Sequence, residues 1–284
     1  MTLQIEPAVL DTLSASGTQN NPIIAWNNFL NGGGCTVSTS GGTELEDGPA
    51  LNATTGTTYD YWSANPSGAA VNLLFEFNAT RSPDFAGISA HNLADLGATV
   101  AFQRWTGSAW AGVGTGSVSP ATNEAIGFYF DADGSTQWRM RITNVADTQA
   151  VIVGNVFLGD VMTMPTRVYQ GYTPARRANN VMLQTNVSEG GNLLGSTVVR
   201  KGIRLSASFR HLTPNFIRGD DNTTGFQNFI DHFNNGKPFY WAWRPNRNGD
   251  LYWCWRSGNV IDPTNSGPKR YQSFSMDMAA YYDE

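Results

Sequence analysis

The chain has 284 residues, 40% hydrophobic and 12% aromatic, enough for one large domain or two ordinary ones. Charged residues make up only 14%, the net charge is −5 and the isoelectric point is near 5.2, which excludes the basic footprint of a nucleic-acid-binding protein. No apolar run approaches the roughly 20 residues that span a bilayer, and Met1–Pro7 lacks a basic start before an apolar core, so we expect neither membrane insertion nor a secretory signal.

The charge is divided unevenly along the chain. Residues 1–160 contain 4 Arg and 14 acidic residues, a net charge of −10, whereas residues 161–284 contain 14 basic and 9 acidic residues, a net charge of +5. This reversal predicts two domains, 1–160 and 161–284, although a drift of charge between two surfaces is the alternative. The two cysteines, Cys35 and Cys254, lie one in each half and predict isolated thiols, not a disulfide framework.

Strand patterns dominate the first half. Apolar residues alternate with mostly polar ones along Val71–Phe77, Val100–Phe102, Phe128–Phe130 and Trp138–Ile142. Glycine-rich and asparagine-rich turns separate these segments, and no convincing helix precedes residue 160. The pattern predicts an antiparallel β-sandwich or jelly roll.

Four segments of the first half resemble a known family. Asp84–Leu93 and Gly97–Val100 resemble the central strands of a discoidin, or galactose-binding-like, jelly roll, such as those carried by tailed-phage virion proteins. Trp138–Ile142 and Val151–Gly159 resemble the end of that fold. The resemblance covers about residues 20–160 and implies a galactose-binding-like jelly roll in this half.

Aromatic residues in the predicted loops of this half are candidates for binding a glycan. Tyr59, Tyr61 and Trp62 lie in one loop, and Trp105 and Trp110 lie near another. Exposed aromatic rings at the rim of a β-sandwich stack on sugar rings. The alternative is that these rings pack in the core or between domains.

The second half contains the only predicted helix. A strand over Ile203–Phe209 precedes it, with Asp221, Asn222 or Thr223 as its N-cap and Asn235-Gly236 as its end. Its apolar residues recur at i, i+3, i+4 and i+7 and define one buried face, formed by Phe226, Phe229, Ile230 and Phe233. The sequence therefore predicts an all-β fold with one short helix.

An aromatic hairpin and a closing strand follow that helix. The hairpin comprises residues 237–243 and 251–255 with a turn at Asn248-Gly249, and Phe274–Ala280 forms the closing strand. The run Asn235–Trp241 after a Phe-rich helix resembles the split-barrel tail proteins of bacteriophages, the distal-tail and minor-tail ring subunits. This resemblance implies that 161–284 is a split-barrel-like β domain whose copies assemble into a ring.

Eight residues of the second half are the predicted assembly surface. Four aromatic rings crowd one small hairpin, and basic residues at the strand ends suit acidic neighbours. We therefore expect contacts with other copies, in a ring or small oligomer, or with other tail proteins. The predicted residues are Arg200, Lys201, Arg204, Arg210, Trp241, Trp243, Trp253 and Trp255.

No catalytic or metal-binding constellation is visible. His91 is best explained as a hydrogen-bonded turn residue, although a ligand contact is the alternative. Asp131–Gly134 begins like a calcium loop, but Met140 stands where the loop needs an acid, which favours a tight turn. The acidic cluster Glu44–Asp47 is best explained as a solvent-exposed loop. The alternatives are a pair of catalytic acids or a cation-binding site. We expect no enzyme activity, no metal and no cofactor.

These observations lead to one main hypothesis and one alternative. The main hypothesis is a structural protein of the virion of a tailed bacteriophage, made in the host cytoplasm and built into the tail or tail tip through residues 161–284. The alternative is a virion protein that binds a host-surface glycan through its jelly roll.

Overall fold

The computed structural model describes residues 2–169, 171–172, 174–175, 177–218, 225–246, 250–267 and 270–282. The described chain is mostly β-strand, which confirms the predicted fold class. The predicted helix cap at Asp221–Thr223 and the predicted turn at Asn248-Gly249 lie outside the described residues.

The first half contains one α-helix, two short 3₁₀ helices at Phe29–Asn31 and Ala50–Thr54, and twelve strands. It begins with β1 (Thr2–Ile5) and α1 (Pro7–Ala15). The remaining strands are β2 (Ile23–Asn28), β3 (Cys35–Ser40), β4 (Gly42–Glu44), β5 (Trp62–Pro66), β6 (Ala70–Arg81), β7 (Phe85–His91), β8 (Thr99–Trp105), β9 (Trp110–Val118), β10 (Ile126–Tyr129), β11 (Ser135–Thr143) and β12 (Val151–Thr163).

Two sheets of the first half pack face to face. One sheet has the order β3-β6-β11-β8-β9, and the other places β10, β7 and β12 side by side. Side chains from both sheets share one core, where Phe102 meets Phe128 with ring centroids 5.3 Å apart. The alternating residues predicted to be core along β6 and β11 are buried. This arrangement confirms the predicted jelly-roll sandwich.

The second half has the predicted order of strand, helix, aromatic hairpin and closing strand. Its elements are β13 (Met182–Val187), β14 (Leu193–Arg200), β15 (Ile203–Leu212), α2 (Pro214–Arg218), α3 (Phe226–Asn234), β16 (Phe239–Ala242), β17 (Leu251–Arg256), β18 (Thr264–Asn265) and β19 (Gln272–Ala280). Strands β13 and β14 form a two-stranded sheet of their own, whereas β16, β17, β19 and β15 lie side by side in the large sheet.

Helix α3 has the predicted apolar face. Its four predicted core residues, 226, 229, 230 and 233, are all buried. Phe229 and Phe233 contact Phe239 of the aromatic hairpin, with centroids 5.3 and 5.8 Å apart. The predicted helix end is also confirmed, because Gly236 has a φ of 73°, a left-handed conformation that glycine adopts without steric cost.

The prediction of a single helix was wrong. Helix α1 begins at Pro7, where the fixed φ of proline suits a first helical residue and its missing N–H costs no hydrogen bond. Only Val9 and Leu13, at i and i+4, are buried on it. Two buried positions are too few to reveal a helical period in the sequence, so α1 was not predicted. Helix α2 has only five residues and gives even less signal.

One sheet runs through both halves. Strand β2 pairs with β12 on one side and with β16 on the other. Its side chains alternate between two cores: Ile24 lies in the core of the second half, while Ile23 and Ala25 lie in a third cluster with Phe85 and Tyr240. The division into domains 1–160 and 161–284 stays a prediction, and any such division crosses this shared sheet.

Both cysteines are free, as predicted. Cys254 is buried on β17. Cys35 lies on β3, and burial raises the pKa of its thiol to about 11. A thiol with so high a pKa is almost never a thiolate at neutral pH, which makes it a poor nucleophile.

Candidate functional site

A groove lies where a loop of the jelly roll meets the aromatic hairpin. It has a volume of about 360 Å³, at the lower end for small-molecule sites, and is mostly apolar. Its lining residues are Gly56, Thr57, Thr58, Tyr59, Gly236, Pro238, Trp253 and Trp255. We call it the junction groove.

Short polar contacts hold the loop that forms one wall of the junction groove. The Thr57 hydroxyl lies 3.1 Å from Asp60 Oδ2 and accepts a hydrogen bond from the Asp60 backbone N–H at 3.3 Å. Asn52 Nδ2 donates to the carbonyl of Tyr61 at 3.2 Å. These contacts leave the side chain of Tyr59 91% exposed. On the opposite wall, Trp255 is 37% exposed. The groove therefore offers two accessible rings beside threonine hydroxyls.

The predicted glycan-binding residues do not form one site. Tyr59 lies in the junction groove, and Tyr61 is half-buried at the end of the same loop. Trp105 and Trp110 lie on β8 and β9 of the five-stranded sheet, with centroids 5.4 Å apart. The Arg139 guanidinium lies 4.4 Å from the Trp110 ring centroid and covers part of that ring.

The prediction was wrong for Trp62. Its side chain is fully buried in the jelly-roll core, and its Nε1 donates to the Thr39 hydroxyl at 2.9 Å. A ring with no exposed surface cannot stack on a sugar. Trp62 is the first residue of strand β5 and faces the core. The sequence did not show where the preceding loop ends and this strand begins.

Two of the four predicted assembly tryptophans are also core residues. Trp241 is fully buried, and its Nε1 donates to the Tyr172 hydroxyl at 2.9 Å. Trp253 is 3% exposed and packs on Tyr240, with ring centroids 4.6 Å apart. The aromatic hairpin folds tightly between α3 and β2, which satisfies these rings within the chain. The assembly prediction for Trp241 and Trp253 is therefore wrong.

The other two tryptophans retain accessible surface. Trp243 is half-buried between Tyr172 and the Arg244 guanidinium, which lies 4.2 Å from the Trp243 ring centroid. Trp255 is exposed at the junction groove. Among the four tryptophans predicted for assembly, Trp255 thus has the most accessible ring.

Three of the four predicted basic residues cluster at one end of β15. Arg200, Lys201 and Arg204 line a common groove that also includes Trp255. Arg210 lies near the other end of the strand, its guanidinium 4.2 Å from the ring centroid of Tyr169. The structure thus brings together three of the four basic residues predicted for assembly.

The edge of β15 is partly occupied by the chain's own crossing segment. Asn179 bonds both backbone groups of Arg204, donating to its carbonyl at 2.8 Å and accepting from its N–H at 2.6 Å. The Tyr169 N–H donates to the carbonyl of Ser208 at 2.7 Å. Part of the edge of β15 is therefore already bonded within the chain.

Sequence reasoning missed a protruding hairpin formed by β13 and β14, which we call the arm. Every residue of its two strands is exposed. Seven of these residues are large and apolar, with exposed fractions of 44–69%: Met182, Leu183, Val187, Leu193, Leu194, Val198 and Val199. The signal was present in the apolar pairs 182–183, 193–194 and 198–199, since consecutive strand residues face opposite sides.

The titratable groups buried in the jelly roll have structural roles. His91 Nδ1 accepts from the Leu93 N–H at 3.3 Å, and its Nε2 lies 3.0 Å from the carbonyl of Glu124, as expected for a hydrogen-bonded turn residue. Burial lowers the pKa of His91 to about 4, so the ring is neutral at pH 7. Burial raises the pKa of Asp84 to about 7, while its Oδ1 accepts from the Val161 N–H at 2.7 Å.

The calcium-like turn has a different role. Asp133, in the loop between β10 and β11, forms an ion pair with Arg104. Across the described residues, no group of three or more His, Cys, Asp or Glu side chains is placed to hold a metal ion. Among the helices in the described part of the chain, none is long and apolar enough to cross a membrane.

Comparison with known proteins identifies neighbours in structure but not in sequence. No protein-family model matches the chain, and no curated protein matches it. One solved structure that matches is the Clostridium perfringens module CpGH89CBM32-5 in complex with GalNAc-β-1,3-galactose, at 9% identity and a TM-score of 0.38, over 45% of this chain and 96% of that one.

Two further solved structures match at similarly low identity. The family 32 carbohydrate-binding module of C. perfringens NanJ, in complex with galactose, is 15% identical with a TM-score of 0.37, over 49% of this chain and 99% of that one. A Ruminococcus gnavus GH29 fucosidase in complex with fucose is 11% identical with a TM-score of 0.40, over 55% of this chain but only 31% of its own length. All three TM-scores are below 0.5, so the jelly-roll description rests on the strand order of this chain.

Proposed function

We propose that this protein is a structural subunit that assembles through its second half, and that the assembly is the tail of a tailed bacteriophage. The observation that supports assembly is the arm, whose strands expose seven large apolar side chains on both faces. Among the described residues the two strands pair only with each other, and an isolated two-stranded hairpin is marginally stable in water. Contiguous apolar surface of this kind on a soluble protein marks an interaction site. The arm is therefore expected to be covered in the working state of the protein.

The tail setting rests on the resemblance to split-barrel tail proteins. The run Asn235–Trp241 occupies the end of α3 and the start of the aromatic hairpin, between β15 and β19. The same setting implies synthesis in the host cytoplasm and incorporation into the virion. The predicted partners are other copies of this chain and other tail proteins.

Reversing the charge of Arg204 and Arg210 tests this proposal. Arg204→Glu with Arg210→Glu should leave the chain folded, because both side chains are exposed. The pair replaces two positive charges on β15 with negative ones and should repel acidic neighbours. We expect incorporation into particles to fall at least about ten-fold, since like-charge juxtaposition at an interface costs several kcal/mol. Mass spectrometry of purified particles measures the change.

A matched control reverses two other exposed arginines. Arg167→Glu with Arg218→Glu changes the net charge equally at exposed positions outside β15. This control should be incorporated like the wild type, and thermal unfolding should show that both double variants are folded. Normal incorporation of the Arg204 and Arg210 variant would count against assembly through this surface.

The junction groove supports a second candidate function, binding of a glycan. Tyr59 and Trp255 present accessible rings beside the hydroxyls of Thr57 and Thr58, and such rings stack on the apolar faces of sugars. Galactose and GalNAc-β-1,3-galactose, which the C. perfringens modules bind, are suitable first probes.

Isothermal titration with these sugars tests the second candidate. Tyr59→Ala and Trp255→Ala should each weaken binding about two- to ten-fold, the range for one aromatic stacking contact. Trp110→Ala is the matched control, because it removes a partly exposed ring from β9. A loss of binding in the Trp110 variant alone would place the sugar on β8–β9, and no binding by the wild type would remove this candidate.

A further inference from the structure

The arm has the features of a strand-pairing element without a partner. Strand β14 has eight residues, which corresponds to a length of about 26 Å at ~3.3 Å per residue. In the described part of the chain, β13 and β14 pair only with each other, so each has an outer edge that no strand covers. Unpaired N–H and C=O groups along an exposed edge are a template for pairing with another chain.

The arm is also basic where it joins the rest of the protein. Residues 181–210 contain four basic side chains, Arg200, Lys201, Arg204 and Arg210, and a single acid, Glu189. Three of the basic residues line one groove at the root of the arm. An acidic docking surface would complement this root, and the first half, with its net charge of −10, is the acidic part of the chain.

One place in the first half combines two sheet edges, apolar surface and acids. Within the part of the chain that the structure describes, β3 is the last strand of the five-stranded sheet and β4 pairs only with β5. Between them lies a groove of about 440 Å³ lined by Val37, Ser38, Thr39, Gly42, Glu44, Pro49, Ala50 and Leu51. We call it the edge groove.

The floor and rim of the edge groove complement the arm. Leu51 is 64% exposed and provides apolar surface. Glu44, the last residue of β4, lines the groove, and Glu46 and Asp47 are exposed in the loop that follows β4. The predicted acidic cluster thus lies at a groove lined by residues of β3 and β4, two strands at the ends of their sheet paths.

Building on the proposed assembly function, we propose that the arm docks in the edge groove of a second copy of this chain. A strand of the arm adds to the free edge of β3 or β4, its leucines and valines cover Leu51, and its basic root faces Glu44, Glu46 and Asp47. The contact is heterologous, because different surfaces of the two copies meet. Repetition of a heterologous contact closes a ring or extends a filament.

Chemical cross-linking between isotopically distinct copies tests this contact. The chain has three lysines, at 201, 237 and 269, so a zero-length carbodiimide that couples lysines to carboxylates gives few products. A mixture of ¹⁵N-labelled and unlabelled protein distinguishes links between copies from links within one. We expect links between Lys201 of one copy and Glu44, Glu46 or Asp47 of another. Links between copies that join Lys201 only to acids of the second half would overturn the proposal.

Variants of the arm provide a second measurement. Leu194→Asp with Val198→Asp should weaken self-association at least about 100-fold in analytical ultracentrifugation, since charges replace two exposed apolar side chains that the contact would bury. Ser117→Asp with Thr136→Asp is the control, because it adds the same charge at exposed positions of β9 and β11, away from the edge groove. The control should associate like the wild type.

Charge exchange makes the test independent of folding defects. Arg200→Glu with Lys201→Glu should weaken association, and mixing this variant with protein that carries Glu46→Lys and Asp47→Lys should restore it.

If the wild type assembles and the arm variants assemble equally well, the docking proposal fails while the assembly proposal stands. If the wild type is monomeric alone but enters particles, the partner is another protein and the docking proposal again fails. A wild type that neither associates nor enters particles would overturn the proposed function itself.

Discussion

Replacing Phe229 with alanine should lower the free energy of unfolding by about 3–5 kcal/mol, the range for truncating a buried aromatic ring. Phe229 has no exposed surface, and its ring centroid lies 5.3 Å from that of Phe239 and 6.3 Å from that of Trp26. Trp26 belongs to β2, so this ring links α3 to the strand shared by the two halves. The cavity left by the substitution would have rigid walls on three elements. Urea denaturation followed by circular dichroism measures the change.

Gln227→Ala is the matched control for that experiment. Gln227 lies on the same helix but is exposed, and surface substitutions of this kind usually change stability by less than about 0.5 kcal/mol. Both residues accept alanine without loss of helix propensity. Equal and small effects of the two substitutions would show that the apolar face of α3 is not core.

The elements that the sequence predicted correctly are those with a local periodic signal. Alternation along Val71–Phe77 identified β6 because every second residue faces the jelly-roll core. The spacing of Phe226, Phe229 and Phe233 identified α3 because one helical face is buried. In both cases one face of a single element is buried, so its apolar residues recur at a regular spacing that can be recognised in the sequence.

The candidate surfaces were less predictable because they depend on contacts between distant residues. The pairing of Ile24 with Trp241 joins strands separated by more than 200 residues, and nothing in the sequence near Trp241 indicates that its strand pairs with β2. Tyr59 was predicted to be exposed, but the groove beside it forms where the loop at Gly56 approaches Pro238, which is distant in the sequence. The arm has apolar residues on both faces, so its strands lack the alternation that marks a half-buried strand.

Tyr240 joins the two halves by direct contacts in the core. It lies on β16 in the second half and is fully buried against Phe85 and Phe157 of the first, with ring centroids 5.6 and 5.7 Å away. Its hydroxyl lies 3.4 Å from Asn155 Nδ2. A Cβ on Gly87 of β7 would lie 2.6 Å from two atoms of the Tyr240 ring. Glycine is therefore required at position 87 by the close approach of a ring from the other half.

Gly87→Ala should destabilise the protein by about 1–3 kcal/mol as an overpacked core, and Tyr240→Ala by about 3–5 kcal/mol as a cavity. The double variant should lose less unfolding free energy than the sum of the two single losses, by at least about 1 kcal/mol, because the new methyl group occupies space that the Tyr240 ring leaves. Gly112→Ala, where a Cβ meets no atom within 4 Å, is the control. Urea denaturation, followed by tryptophan fluorescence and by circular dichroism, measures the stability of all four variants.

The Gly87 and Tyr240 substitutions should each shift the same unfolding transition, and the shift should appear in both the fluorescence and the circular dichroism signals. Strictly additive costs would contradict the contact between the two residues, whereas a second transition that neither substitution shifts would show that 1–160 and 161–284 unfold independently of their shared sheet.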